Sequence, residues 1–208
     1  LKTSYAIFKT DEDYSRDSTI SLCEITLNNL MSKGEFHERD FLDRVDLLNH
    51  MGQHVMISKF REYYKLVDYF GRGKLKKLRI VIGYPTFEKE FDPVYYTDLR
   101  GEILEAFGSL FPNNMKFYIY PMLDKSTGNL LHSQDLNLSP ELRCLYDYLL
   151  STRKIIDIKN AKKEWLSITS NEVLRLMQEG DRRWEAMVPK HVREIVKQRC
   201  LFDYKCDD

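Results

Sequence analysis

Asn28, Asn29, Ser58, Arg61, Gly83, Tyr84, Tyr96 and Asp98 are the residues of this 208-residue sequence whose types and positions best suit chemistry. They offer amides, a hydroxyl, a guanidinium, phenols, a carboxylate and a small backbone position. Such a set suits a polar ligand, above all an anion held at helix N-termini. Each follows a stretch that reads as a β-strand or opens the helix after one. In an open parallel sheet, ligands sit beyond the carboxyl ends of the strands, and that rule selects these positions. Turn and cap residues also collect at such positions for local reasons, so the same residues have a purely structural use.

Other groups carry weaker signals. Asp124-Lys-Ser-Thr-Gly128 follows a predicted strand and superficially resembles the DKTG motif of aspartate-phosphorylating pumps in the haloacid dehalogenase superfamily. One inserted residue spoils the spacing, and a turn is the better reading. Gly71-Arg-Gly-Lys74 precedes a strand instead of joining strand to helix, so it is no phosphate-binding loop. There is no GxSxG. The histidines at 37, 50, 54, 132 and 191 show no HExxH or HxH spacing, and Cys23, Cys144, Cys200 and Cys206 match no zinc or CxxC pattern. The sequence therefore names no catalytic residue, no metal ligand set and no cofactor. Arg72, Lys74, Lys76, Lys77 and Arg79 crowd one loop, but without interleaved aromatics they read as a solvated entry to a buried strand.

The elements that must position these groups alternate. Ser18–Thr26 reads as a strand, followed by a helical turn over Leu27–Met31. A helix over 38–51 has Phe41, Leu42, Val45 and Leu48 on one face, with Arg39–Asp43 and Asp40–Arg44 as i,i+4 pairs. HVMIS at 54–58 is a strand, 60–71 a helix with an aromatic stripe, and LRIVIGY at 78–84 a strand covered on both faces. A helix over 94–111 and the strand MKFYIYP at 115–121 follow. Residues 123–138 read as an irregular loop, Pro140 opens a further helix, and IIDI at 155–158 reads as an edge strand. Helices over 170–179, 181–187 and 190–199 end the chain.

This alternation predicts an α/β fold: a mostly parallel, Rossmann-like sheet of four or five strands, with helices on both faces and a helical C-terminal extension. The predicted division is an N-terminal arm over 1–17, an α/β core over 18–160 and a helical extension over 161–208. Phe41 to Pro85 is its expected βαβ centre.

Composition bounds the partners. Thirty-two basic residues balance thirty-two acidic ones, and 43% of residues are apolar. Zero net charge gives no general attraction to nucleic acid or anionic membrane, so nucleic acid is not an expected partner. No apolar run approaches a membrane span, and no secretory signal opens the chain. Cys23 and Cys144 lie in apolar contexts and read as core residues; Cys200 and Cys206 are the pair that could join. A reducing, intracellular and cytoplasmic setting is the expectation. Trp165 and Trp184 could anchor a partner surface or pack the short C-terminal helices.

ITLNNLM (25–31), DFLDRVDLLN (40–49), ISKFREYYKLVDYF (57–70), YYTDLRGEILEAFGSLF (95–111) and GDRRWEAMVPKHVREIVKQRCLF (180–202) together resemble the C-terminal part of a poorly characterised family of large bacterial proteins. Its members often carry the labels nicotinate-nucleotide adenylyltransferase or TonB-dependent receptor. The resemblance spans about residues 18–204 and implies a longer protein, with an N-terminal part not present here. Where that family has paired glycines before the ILEAFG helix, this sequence has Gly101-Glu102. Neither label transfers, because the HxGH-type nucleotide motif and the alternating strands of a barrel are both missing. Two functions remain: a structural or partner-binding module of a longer chain or assembly, or a nucleotide- or phosphometabolite-binding, transferase-like domain taking an anionic small molecule at its strand ends.

Overall fold

A computed structural model describes residues 2–11, 14–27, 38–73 and 75–205. In chain order its elements are α1 (Lys2–Phe8), β1 (Leu22–Thr26), α2 (Glu38–His50), β2 (His54–Ser58), α3 (Tyr63–Gly71), β3 (Leu78–Gly83), α4 (Tyr84–Lys89) and α5 (Glu102–Leu110). Then come β4 (Met115–Tyr120), β5 (Met122–Leu123), β6 (Leu130–Leu131), α6 (Pro140–Ser151), β7 (Ile155–Asp157), α7 (Lys163–Leu166), α8 (Ser170–Gln178), α9 (Trp184–Met187) and α10 (Lys190–Arg199). The chain is a mixed α/β protein with parallel sheets.

The expected single sheet is corrected. The strands form a two-stranded sheet β1-β2, a three-stranded sheet β3-β4-β7 and a two-stranded hairpin β5-β6; the first two are parallel and the last antiparallel. HVMIS and LRIVIG lie in different sheets, so Phe41 to Pro85 is not one βαβ unit. The reason lies in α3. Tyr63 packs edge-on to Phe117 at 5.7 Å, and Tyr64 lies 6.1 Å from Tyr96. Its aromatic stripe therefore serves the β3-β4-β7 core. Contacts group residues 1–16 with 62–167 and residues 17–61 with 168–208.

In the first unit β4 is the central strand, paired in register with both neighbours: Ile80↔Phe117 and Phe117↔Ile155. Alternation along the strand sends Met115, Phe117 and Ile119 into a fully buried core with Phe87, Phe107, Leu110, Tyr146 and Ile155. β3 is half-buried, as suits an edge strand. The opposite face carries Arg79, Lys116 and Tyr118. Residues 1–17, expected to be an irregular arm, contribute a helix there: Phe8 of α1 meets Tyr118 edge-on at 5.9 Å. Arg79, read as part of a solvated loop, is instead bonded to Asp11 at 2.6 Å, with side chains 14% and 9% exposed.

The expected helix over 94–111 is interrupted. A 3-10 turn spans Pro93–Tyr96, capped by Asp92, and α5 starts only after Gly101. Gly101 N–H donates to Glu105 Oε2 at 2.8 Å, and a Cβ at Gly101 would lie 2.9 Å from Glu105 Cβ. Glu102 then takes φ 47°, the left-handed region that favours glycine.

In the second unit the C-terminal helices build a core of their own around Trp184, Leu176, Met177 and Val196, joined by Leu47 and Met51. Trp184 is 1% exposed, with Tyr204 edge-on at 5.6 Å, so it is a core residue. The inward face of α2 is corrected, since Leu42 is 52% exposed while Leu47 packs inward. Of its expected ion pairs, Asp40–Arg44 forms at 2.9 Å. Arg39 pairs with Asp203 instead, and Asp43 accepts from Phe202 N–H. Cys144 is exposed and not in the core; Cys144 and Cys23 are free thiols. Cys200 is disulfide-bonded.

Two substitutions test this packing by chemical denaturation. Trp184→Ala lowers stability by about 3–5 kcal/mol, and a loss below about 1 kcal/mol would remove Trp184 from the core. Gly101→Ala costs roughly 1–3 kcal/mol because the added methyl overpacks Glu105, and an unchanged midpoint would contradict the close approach.

Candidate functional site

The residues selected by the strand-end rule belong to two units. Ser58 and Arg61 belong to the second unit; Gly83, Tyr84, Tyr96 and Asp98 belong to the first. Asn28 and Asn29, with the helical turn expected over Leu27–Met31, lie outside the described residues apart from Leu27. Ser58 ends β2 and is 7% exposed. Its hydroxyl donates to Glu24 Oε1 and accepts from Phe60 N–H at 3.3 Å, while Thr26 donates to the same Glu24 oxygen. Arg61 and Asp98 are exposed.

Gly83 caps α4 from an extended backbone conformation (φ −79°), and a Cβ there would make only ordinary contact with Pro85. Nothing in its surroundings requires glycine. Tyr84 and Tyr96 are 4% and 2% exposed, and both rings are members of the first unit's core. Asp124 starts a turn: its carboxylate accepts from Ser126 N–H at 2.9 Å and from the hydroxyls of Ser126 and Thr127 at 2.7 Å. Those bonds, Thr127's first, hold its carboxyl down at about 2.

The carboxyl ends of β3 and β7 are joined by a segment within the expected irregular loop over 123–138. The 3-10 turn Ser133–Asp135 reaches both. Ser133 is 1% exposed; its Oγ donates to Asp157 Oδ2 at 2.8 Å and its N–H to Asp157 Oδ1 at 3.0 Å. On the other side, Tyr84 Oη donates to the Asp135 carbonyl at 3.4 Å. Tyr146 Oη lies 3.0 Å from Ser133 Oγ, and Arg143 stacks 5.0 Å from the Tyr146 ring centroid while donating to the Gln134 and Leu136 carbonyls. Burial pushes the phenols of Tyr84 and Tyr146 upward. The result is a plug at the rim of the sheet.

A Ser, an Asp and the neighbouring His132 meet here, but not as a hydrolytic triad. The serine donates straight to the aspartate, and its hydroxyl is enclosed. His132 Nδ1 is buried with no hydrogen-bond partner. A general base must reach the nucleophile it activates, and here the aspartate occupies that position.

A second polar cluster in the same unit involves none of the motifs singled out in the sequence except Tyr96. Glu90 is 8% exposed. Tyr96 Oη donates to the Glu90 carbonyl at 2.9 Å and lies 3.2 Å from its Oε2. Burial raises the Glu90 carboxyl to about 7, partly offset by the Tyr96 bond and reinforced by the charge of Glu62. Glu62 in turn holds Lys65 at 2.8 Å and raises that ammonium. The available signal was positional: Glu90 sits among Tyr84, Phe87 and Phe91, on the face that α4 and the following turn bury. Such a group can exist as a neutral acid near neutrality.

Among the described residues, no group of three or more His, Cys, Asp or Glu could hold a metal ion, and no helix is long and apolar enough to cross a membrane. No family model, no curated protein and no solved structure matches the chain.

Glu90 has a folded pKa above the ordinary 4.5. Its stabilising contribution is therefore complete below about pH 4.5 and is lost as pH rises toward 7. Glu90→Gln keeps an acceptor for Tyr96 and removes the charge. Above pH 8 the variant is more stable than the parent by up to roughly 3 kcal/mol, and the difference shrinks toward pH 5. Urea midpoints measured across that range check this, and equal pH profiles would refute the buried ionisation.

Proposed function

We propose that the chain is a non-catalytic module, a structural or partner-binding part of a longer protein or assembly, working in the cytoplasm. The observation that carries this reading is the plugged rim of the β3-β4-β7 sheet. Where an α/β enzyme opens a crevice for its ligand, this chain inserts its own Ser133–Asp135 turn, bonded to Asp157 on one side and reached by Tyr84 on the other. Trp165 supports the partner-binding half. It is 49% exposed, with the Lys162 ammonium 4.8 Å from its ring centroid. Half-exposed Trp beside a cation is the kind of residue that anchors interfaces. The motif resemblance, read as the C-terminal part of a larger bacterial protein, fits the same role.

Amide NMR during titration with ATP, NAD and a sugar phosphate at millimolar concentration tests the plug. The expected outcome is no saturable shift at Gly83, Tyr84, Ser133 or Asp157. Saturable shifts at those amides would replace this reading with a nucleotide- or phosphometabolite-binding domain.

A further inference from the structure

Glu90 and Tyr96 bracket the turn that leaves α4 on the way to α5. Tyr96 Oη donates to the Glu90 carbonyl at 2.9 Å and lies 3.2 Å from Glu90 Oε2. Burial pushes the phenol well above its ordinary range, so Tyr96 keeps its hydrogen. One hydrogen cannot point straight at two oxygens. With a proton on Glu90 Oε2 both contacts are complete: the carboxyl donates to the phenol oxygen, and the phenol donates to the carbonyl. Without that proton the phenol serves either the carbonyl or the carboxylate, and the other acceptor loses its donor under cover. The geometry of the pair thus has room for two hydrogens and is complete only with both.

The groups around the pair favour the bound proton. At the start of α3, Glu62 acts on Glu90 with a like charge, and Tyr64 lies 6.1 Å ring to ring from Tyr96. Lys65 is the cation of that corner, but it is exposed and held by Glu62 at 2.8 Å, with its ammonium 5.5 Å from the Tyr64 ring centroid. α5 meets Tyr96 with an apolar ring, Phe107 at 6.3 Å. The charged residues of the connecting segment, Glu88, Lys89, Asp92, Asp98, Arg100, Glu102 and Glu105, are all exposed. Burial raises the Glu90 carboxyl to about 7 against the pull of the Tyr96 bond, and the Glu62 charge adds to it. The proton is therefore exchanged near neutrality, bound below that pH and given up to water above it. What hangs on it is the turn. Tyr96 lies in the core while Val94 and Tyr95 beside it are exposed, and Leu99 N–H bonds back to the Tyr96 carbonyl at 3.0 Å.

We propose that Glu90 and Tyr96 form a proton-operated latch: one proton bound between Glu90 Oε2 and Tyr96 Oη closes the turn over residues 90–96 onto the core, and its loss lets the turn open. Glu62, with Lys65 on its outer side, sets the charge that faces the latch. The exposed pair Val94 and Tyr95 rides on the same turn, so the latch decides whether that apolar surface is held fixed or released.

Two NMR measurements on the whole chain test this. Carboxyl-carbon spectra of glutamate-labelled protein follow Glu90, assigned by the resonance missing from Glu90→Gln, and its midpoint is expected at about 7. Amide hydrogen exchange, corrected for its intrinsic pH dependence, reads the turn at Leu99 N–H and at Asp92 N–H, which bonds to the Lys89 carbonyl at 3.1 Å. Phe117 N–H, bonded to the Lys154 carbonyl at 2.9 Å in the central strand, reports opening of the whole unit. Leu99 and Asp92 are expected to exchange faster than Phe117, and their protection to fall at least about tenfold between about pH 5.5 and about pH 8.5. In Glu90→Gln that fall disappears, and in Tyr96→Phe the protection of Leu99 is already lower at about pH 5.5. A Glu90 carboxyl that titrates in the ordinary carboxylate range would overturn the latch. So would exchange at Leu99 no faster than at Phe117, protection indifferent to pH, an equal fall in Glu90→Gln, or unchanged Leu99 protection in Tyr96→Phe.

Discussion

A parallel sheet cannot leave either face in water, and in the first unit this constraint falls on β4. Its neighbours are both parallel to it, its odd-numbered residues from Met115 to Ile119 are fully buried, and Phe117 at its centre meets Tyr63, Phe87 and Phe111 at ring distances of 5.4–6.2 Å. Aromatic pairs in edge-to-face arrangement add to the area they bury. Much of what surrounds β4 follows from satisfying that strand. α3 and α5 contribute rings or leucines to one face, and α1 with Asp11 closes the other. The N-terminal segment is thus part of the fold of this unit and not an arm beyond it.

Legibility in the sequence divides along the same line. Strands with a strong local pattern, MKFYIY above all, could be read with useful accuracy, as could the helix opened by Pro140 and the edge strand at Ile155. Strand partnership could not. HVMIS and LRIVIG each need a parallel neighbour, and nothing local to either says which; β2 finds β1, and β3 finds β4. The break before α5 was written in Gly101, whose close approach to Glu105 depends on a neighbour four residues on. At the site, local chemistry misled for one reason: the rule that points to strand ends assumes that they are open. Ser133 and Asp157 are 24 residues apart, and their mutual bond has no short-range trace.

Two carboxylates of the first unit, half-buried Asp157 and buried Glu90, show how differently such groups are handled. Asp157 accepts from a backbone N–H and a hydroxyl of the same residue, so both oxygens have donors. Glu90 has one phenol near one oxygen and a second carboxylate within electrostatic reach, so burial wins and its proton is held toward neutrality. The first arrangement fixes a turn to a strand end. The second stores a pH-dependent element in the core, tied to Tyr96, which lies 6.3 Å ring to ring from Phe107.

What the plug implies for function rests on a comparison of two uses of one location. A strand-end crevice needs backbone groups turned outward and a floor that tolerates an incoming polar molecule. Here several groups at that location are already matched within the chain, His132 Nδ1 excepted: Asp157 by Ser133, Asp135 by His132 N–H and Tyr84, and the Leu136 carbonyl by Arg143. Admitting a ligand would require breaking several of these bonds at once, and at buried Ser133 an unmatched polar group costs about 1–3 kcal/mol.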